Sequence, residues 1–299
     1  MTGADDTVSR RADIYGLRVT IAGPDALVES VWPYFSTWPS PGDGTPRAAI
    51  DLEIRRDPGS AAGMYAVSHV AETIASAPDV PALVTQLHAW LDREVLRRLA
   101  ATLTPIHAGV VGCDAGAIVL PANSGSGKTS LVAALIQRGA RYYSDEVALI
   151  DTAGRVLPYP RPLFRRHDGR QRPVLATSLG ARIGSEPLPI RSIVALRYDP
   201  RETLTLHPIT SAEAVLLLLR HTFVELPDGT APFTGAVRDG RDRTMPPQGG
   251  ATMWPALVRA VDGASAYTGT RGDAAEIADR ILALASHGDG PEAVRSPGL

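Results

Sequence analysis

The sequence predicts an α/β protein in two parts: a small N-terminal α/β unit, then a larger core in which helices pack against a sheet. Three observations carry this reading. From Ile106 onward the chain passes through short apolar runs, "AGVVG", "AIVL", "VALID" and "SIVALRY", separated by turns and helical patterns, which is how buried strands alternating with helices read. Before that point, Val80 to Thr102 places Leu83, Leu87, Trp90, Leu91, Val95 and Leu99 on one stripe, an amphipathic helix that closes a small unit. The third is "AIVLPANSGSGKTSLVAALIQRG", Ala117 to Gly139, where an apolar run, a Gly/Ser loop and an apolar helical stripe follow one another directly. The predicted division is 1–104, 105–286 and a disordered tail over 287–299.

Composition permits this and narrows the function. With 299 residues, 44% of them hydrophobic, the chain can bury a sizeable core. Thirty Lys plus Arg face 32 Asp plus Glu, a net charge of −2, so no global field attracts nucleic acid or an anionic membrane, and neither is expected as a partner. Cys113 is the only cysteine, which excludes an internal disulfide framework and a Cys-rich zinc site and suits a reducing cytoplasm. The start, "MTGADDTVSRRADIYG", has no apolar core of signal-peptide length, and no stretch is long enough to span a bilayer. A cytoplasmic location is expected.

In chain order, Tyr15 to Ile21 alternate like a strand, "PDALVESVWPYF" has helical spacing after a Pro start, and "STWPSPGDGTP" is a Pro/Gly loop. "AAIDLEI" and "MYAVSHV" follow as strands before the long helix. Two later helices carry capping-box spacing, Thr210 with Glu213 and Asp273 with Glu276. Between them "ELPDGTAPFTGAVRDGRDRTMPPQGG", residues 225–250, is either a mobile lid over a site or a disordered segment.

The Gly/Ser loop has the context a phosphate cradle requires. Ala122, Asn123, Ser124, Gly125, Ser126, Gly127, Lys128, Thr129 and Ser130 run from the end of a strand into a helix start, where backbone N–H groups and the positive helix end converge on a polyphosphate. In such a loop Lys128 contacts the outer phosphates of ATP and Thr129 ligates Mg²⁺. Ala122 stands where the strict pattern has Gly, so the turn there must avoid positive φ or carry strain. Gly139 is expected to end the helix as a left-handed cap. Asp145 and Glu146 lie side by side early in "RYYSDEVALI", unlike the acid at the far end of an apolar strand in a transport ATPase or GTPase, and neither "LSGGQ" nor "NKxD" occurs.

Here the stretch "IHAGVVGCDAGAIVLPANSGSGKTSLVAALIQRGARYYSDEVALI" resembles the catalytic core of bacterial HPr kinase/phosphorylase and its relatives, which share a nucleotide fold with phosphoenolpyruvate carboxykinase. The register from His107 through Lys128 to Asp145 matches the family pattern without a gap, over about the middle sixth of the chain. The resemblance implies an HPr-kinase-like P-loop core and a catalytic set of His107, Lys128 and Asp145. His107 would lie near the reacting phosphate and Asp145 would accept the hydroxyl proton. Glu146, which replaces an Asp of the usual pair, would carry Mg²⁺ with Thr129, and Asp145 would face the metal too. The family's tendency to assemble implies a homo-oligomer. "VLPYPRPLFRR" is similar to a Pro-Arg-Pro segment of HPr-kinase-like proteins from bacterial peptide and metabolite biosynthesis clusters, including kinases that modify lasso peptides. Arg161 in it is expected on phosphate or substrate, where a planar guanidinium suits bidentate recognition, more than Arg165 and Arg166 are; the alternative for all three is a basic face with no task.

The function expected from these readings is transfer of the γ-phosphoryl group of ATP to a Ser or Thr hydroxyl on a peptide or small molecule. Two alternatives stay open. One is a nucleotide-binding accessory protein without phosphoryl transfer, for which Ala122 and Glu146 leave room. The other is an HPr-type carrier-protein kinase/phosphorylase, although no segment for docking the carrier is recognisable.

Overall fold

The computed structural model describes residues 6–38, 46–57, 63–123, 125–167, 169–223 and 250–286. Ser124, residues 225–249 of the Gly/Pro-rich segment and the tail 287–299 lie outside these, so the expectations placed on them do too. The chain is α/β and divides into two compact units: Met1–Arg98 with Pro160–Ser178, and Leu99–Tyr159 with Leu179–Leu299.

The first unit opens with β1 (Thr7–Ile14), β2 (Leu17–Pro24), α1 (Asp25–Val31), β3 (Ala48–Arg56), β4 (Tyr65–His69), β5 (Glu72–Ala77) and α2 (Val80–Leu99). The strands form one sheet in the order β1-β2-β3-β4-β5, in which only β2 and β3 run parallel. Leu17, Val19 and Ile21 of β2 are buried while the residues between them are partly exposed, the period-2 signature of a half-buried strand. On α2 the expected stripe is buried at Leu83, Leu87, Leu91, Val95 and Leu99, and it widens to take in Val84, His88, Asp92 and Leu96.

The second unit begins with β6 (Thr104–Cys113) and β7 (Gly116–Pro121), followed by α3 (Lys128–Gln137), β8 (Arg141–Ser144), β9 (Val147–Ile150) and β10 (Arg155–Leu157). The chain then returns to the first unit with a hairpin, β11 (Leu163–His167) and β12 (Arg170–Val174), before β13 (Leu188–Tyr198), β14 (His207–Pro208), α4 (Ser211–Arg220), α5 (Gly250–Val261), β15 (Ser265–Arg271) and α6 (Ala274–Ser286) complete the second. The 105–286 reading thus meets a discontinuity, since 160–178 belongs with residues 1–98. The sheet runs β10-β9-β6-β7-β13-β15-β14, with β8 also on β6; β7, β13 and β15 are parallel. Among the described residues no helix is long and apolar enough to cross a membrane.

Arg161 has a different partner from the phosphate or substrate expected of it. It is 7% exposed inside the first unit, its guanidinium 2.5 Å from Asp92 on α2 and 5.1 Å from the Phe164 ring. A carboxylate buried on a helix needs a cation, and Arg161 supplies it. His88 completes this cluster, stacked on Phe35 at 4.3 Å, and burial followed by the Arg161 charge holds its pKa well below the ordinary histidine value.

β6 decides where the start of α3 can lie. Ile106, Ala108 and Val110 join a core with Leu218 of α4 and Leu257 and Val261 of α5, so Gly109, between them, faces the other side of the sheet. There α3 lies against it: a Cβ at Gly109 would stand 2.7 Å from Val132 Cγ2 and 3.2 Å from Lys128 Cγ. Gly109→Ala should therefore push α3 off the sheet and cost about 1–3 kcal/mol, as overpacking does. Urea unfolding reads the loss; an unchanged midpoint would mean that α3 is free to move away.

Candidate functional site

The loop between β7 and α3 turns on Gly125 and Gly127, at φ of +82° and +77°, and Gly127 is the N-cap of α3 with ψ of 18°. Both angles lie in the left-handed region that a Cβ disfavours. Ala122 is not among the positive-φ residues, so the replaced glycine asks nothing unusual of the backbone. At the far end of α3, Gly139 N–H bonds Ile136 O and Ala140 N–H bonds Leu135 O, the double closure of a Schellman cap.

The acidic pair sits at a break. "RYYSDEVALI" reads as one strand, but β8 and β9 are separate, and both pair antiparallel with β6: Ser144 opposite Val110, Val147 opposite His107. Asp145 and Glu146 fall in the interruption, where the Glu146 carbonyl still accepts from the Ala108 N–H at 3.1 Å. Ser144 Oγ holds the turn by accepting from the Glu146 and Val147 N–H groups at 3.3 and 3.0 Å, the local competition with a strand ladder that serine favours.

Consecutive carboxylates thereby reach the same helix start at different residues. Thr129 Oγ1 donates to Asp145 Oδ2 at 3.0 Å, and the Tyr142 hydroxyl lies 3.4 Å from Oδ1. Glu146 turns to the other side, with Oε1 2.9 Å from His107 Nε2 and Oε2 3.7 Å from Lys128 Nζ. Lys128, 7% exposed, also donates to Ala122 O at 3.2 Å and lies 2.6 Å from His107 Nε2. That nitrogen cannot accept from the ammonium and donate to the carboxylate at once, so the proton on His107 couples Lys128 to Glu146.

The sequence-predicted residues His107, Lys128, Thr129, Asp145 and Glu146 are thus brought together within the second unit, whereas Arg161 belongs to the first, paired there with Asp92. Exposure divides the two acids. Asp145 is 2% exposed, whereas the Glu146 side chain is 32% exposed. Among the described residues no group of three or more His, Cys, Asp and Glu side chains converges as a metal cage. Mg²⁺ does not require one, because it keeps waters and takes one or two protein oxygens beside substrate phosphates. The hydroxyl and carboxylate oxygens of Thr129 and Asp145, already 3.0 Å apart, fit such a hard cation.

Two contributors have no local signal in the sequence. Arg271, at the end of β15, is 2% exposed and donates to the carbonyls of Gly127 and Ser126 at 2.8 and 3.4 Å. Its strand segment, "YTGTRGD", carries no spacing that ties it to the loop. His221 closes α4, and its carbonyl accepts from the His107 N–H at 2.7 Å.

Comparison with protein-family models and with curated proteins gives no match for this chain.

Burial, then the charges of His107, Lys128 and Arg220, lower the His221 pKa from 6.5 to about 4. Between those values the unfolded chain binds a proton that the folded one refuses, so stability falls as pH drops from 6.5 towards 4. His221→Asn should flatten this part of the pH dependence. Urea midpoints at about pH 7 and pH 4.5 test it: equal slopes in wild type and variant would contradict the shift.

Proposed function

We propose that this chain is an HPr-kinase-like phosphotransferase that uses MgATP to phosphorylate a Ser or Thr hydroxyl on a peptide or small molecule. The observation that carries the reading is the separation of the two acids at one helix start, Asp145 on Thr129 and the more exposed Glu146 on His107. Phosphoryl transfer needs a metal carboxylate and a proton-accepting group, side by side with distinct surroundings. MgATP supplies the transferable γ-phosphoryl group and the metal that offsets its charge.

The residues then divide their tasks by position. The N–H groups of Gly125 to Thr129 and the positive end of α3 receive the phosphate chain. Lys128 would exchange the Ala122 carbonyl and His107 Nε2 for phosphate oxygens, which frees Nε2 to donate to Glu146. Thr129 and Asp145 would hold Mg²⁺. The resemblance puts the proton on Asp145 and has both Glu146 and Asp145 facing the metal. The geometry favours Glu146 for the proton and Asp145 for the metal alone, because a base must touch the acceptor hydroxyl and Asp145 is enclosed between Thr129 and Tyr142. His107 orients Glu146 rather than meeting the acceptor, since its side chain is 1% exposed.

Lys128→Ala should abolish MgATP binding, read by calorimetry; unchanged affinity and turnover would leave the loop a simple turn.

The two acids should fail differently. Glu146→Gln should still bind MgATP but transfer phosphate roughly 10²–10⁴-fold more slowly, the usual loss of a general base. Asp145→Asn should instead need more Mg²⁺, its defect shrinking as the metal is raised. Intact-mass spectrometry of candidate peptides, free serine and threonine after incubation with MgATP reads the product. A rescue by Mg²⁺ in Glu146→Gln alone would restore the opposite assignment, and no phosphorylated acceptor with any of them, despite MgATP binding, would favour an accessory role.

A further inference from the structure

We propose that Arg271 is a positioning residue for the phosphate loop: it holds the Ser126 and Gly127 carbonyls so that the N–H groups of Gly127 and Lys128 face an anionic phosphate chain. This rests on the reading of the loop as a phosphate cradle. Arg271 Nη2 reaches both carbonyls, at 3.4 Å for Ser126 and 2.8 Å for Gly127, while Nη1 donates to Gly272 O at 2.9 Å. In a planar trans peptide the C=O of one residue points opposite the N–H of the next. Two carbonyls fixed on one guanidinium therefore aim two successive N–H groups away from it.

Charge points the same way. Arg271 is 2% exposed, and each acceptor of its hydrogen bonds is a neutral carbonyl. Among the described residues no carboxylate forms an ion pair with it; burial lowers its pKa, outweighing Tyr198 and Asp273, which favour the charged form. A fold gains little from a cation buried on neutral partners, and an apolar residue would close the strand end as well. At a loop that receives phosphate the same cation polarises the amides it holds and meets its counter-charge in the ligand. It lines one small cavity with Ala122, Ser126 and Lys128.

The fork cannot be replaced by a point charge. The guanidinium lies over the Tyr198 ring, 4.9 Å from its centroid, which fixes the plane from which Nη1 and Nη2 diverge. Gly127 meets it with no side chain, and a Cβ there would collide with Arg271 Nη2.

Inorganic pyrophosphate, which can occupy only the phosphate part of the site, tests this by calorimetric titration of the full chain. Arg271→Met and Arg271→Lys should each lose at least about tenfold in pyrophosphate affinity, the scale of charge-assisted hydrogen bonds. Amide exchange at Gly127 and Lys128 should quicken. In Arg271→Ala, added guanidinium should restore binding, which it cannot do in Lys128→Ala and which a role confined to stability would not produce. Folded Arg271 variants with wild-type affinity overturn the proposal. If those variants do not fold, Tyr198→Leu decides, because Tyr198 is 44% exposed: about threefold weaker binding supports the proposal, on the scale of a lost cation–π contact, and unchanged binding overturns it. Lys128→Ala separates the two readings. Pyrophosphate binding lost there but intact in Arg271→Met sinks the role of Arg271 alone, whereas binding unaffected by Lys128→Ala, or absent in wild type, sinks the cradle and Arg271 with it.

Discussion

One buried ammonium sets the arrangement of the second unit around it. Lys128 is the first residue of α3 and 7% exposed, so its charge must find acceptors within reach of the helix start. It finds the Ala122 carbonyl, His107 Nε2 and Glu146 Oε2. Each comes from a different element: the loop before α3, strand β6 and the break between β8 and β9. The helix reaches this position because β6 carries no side chain at Gly109, where Val132 and Lys128 pack. Packing and charge thus meet at one point, since moving α3 outward would separate Lys128 from its acceptors.

The same constraint explains why adjacent acids in the sequence have unlike surroundings. A regular strand would send Asp145 and Glu146 to opposite faces. The interruption held by Ser144 Oγ instead directs Asp145 to Thr129 and Glu146 to His107 and Lys128. One carboxylate is enclosed and the other keeps a route to solvent, the difference on which the proposed division of their roles rests. His107 links the halves, because its Nε2 serves either the lysine or the glutamate.

Much of this was legible in the sequence, and the exceptions have physical causes. β2, β3 and α2 announce themselves because one face of each is buried in a regular period. β1, an edge strand with most of its residues exposed or partly so, has no apolar alternation to reveal it. The loop, His107 and the acidic pair form a local pattern over a short stretch, so their convergence could be expected from register. Which acid faces which partner depends on a break that looks like one continuous strand. Arg161 and Arg271 show the limit most plainly. Arg161 sits beside a suggestive motif yet pairs with Asp92, far away in the chain, and Arg271 reaches the loop only because β15 lies in the sheet next to β13. Long-range pairing leaves no mark in local spacing.

The most direct test of the central claim, that the start of α3 is a nucleotide phosphate site, is a crystal structure with Mg²⁺ and a non-hydrolysable ATP analogue. The expected result has phosphate oxygens on the N–H groups of Gly125 to Thr129, Lys128 Nζ withdrawn from His107 onto them, and the metal between Thr129 and Asp145. A nucleotide bound elsewhere, or a Lys128 still on His107 and Glu146 in crystals saturated with the analogue, would contradict it.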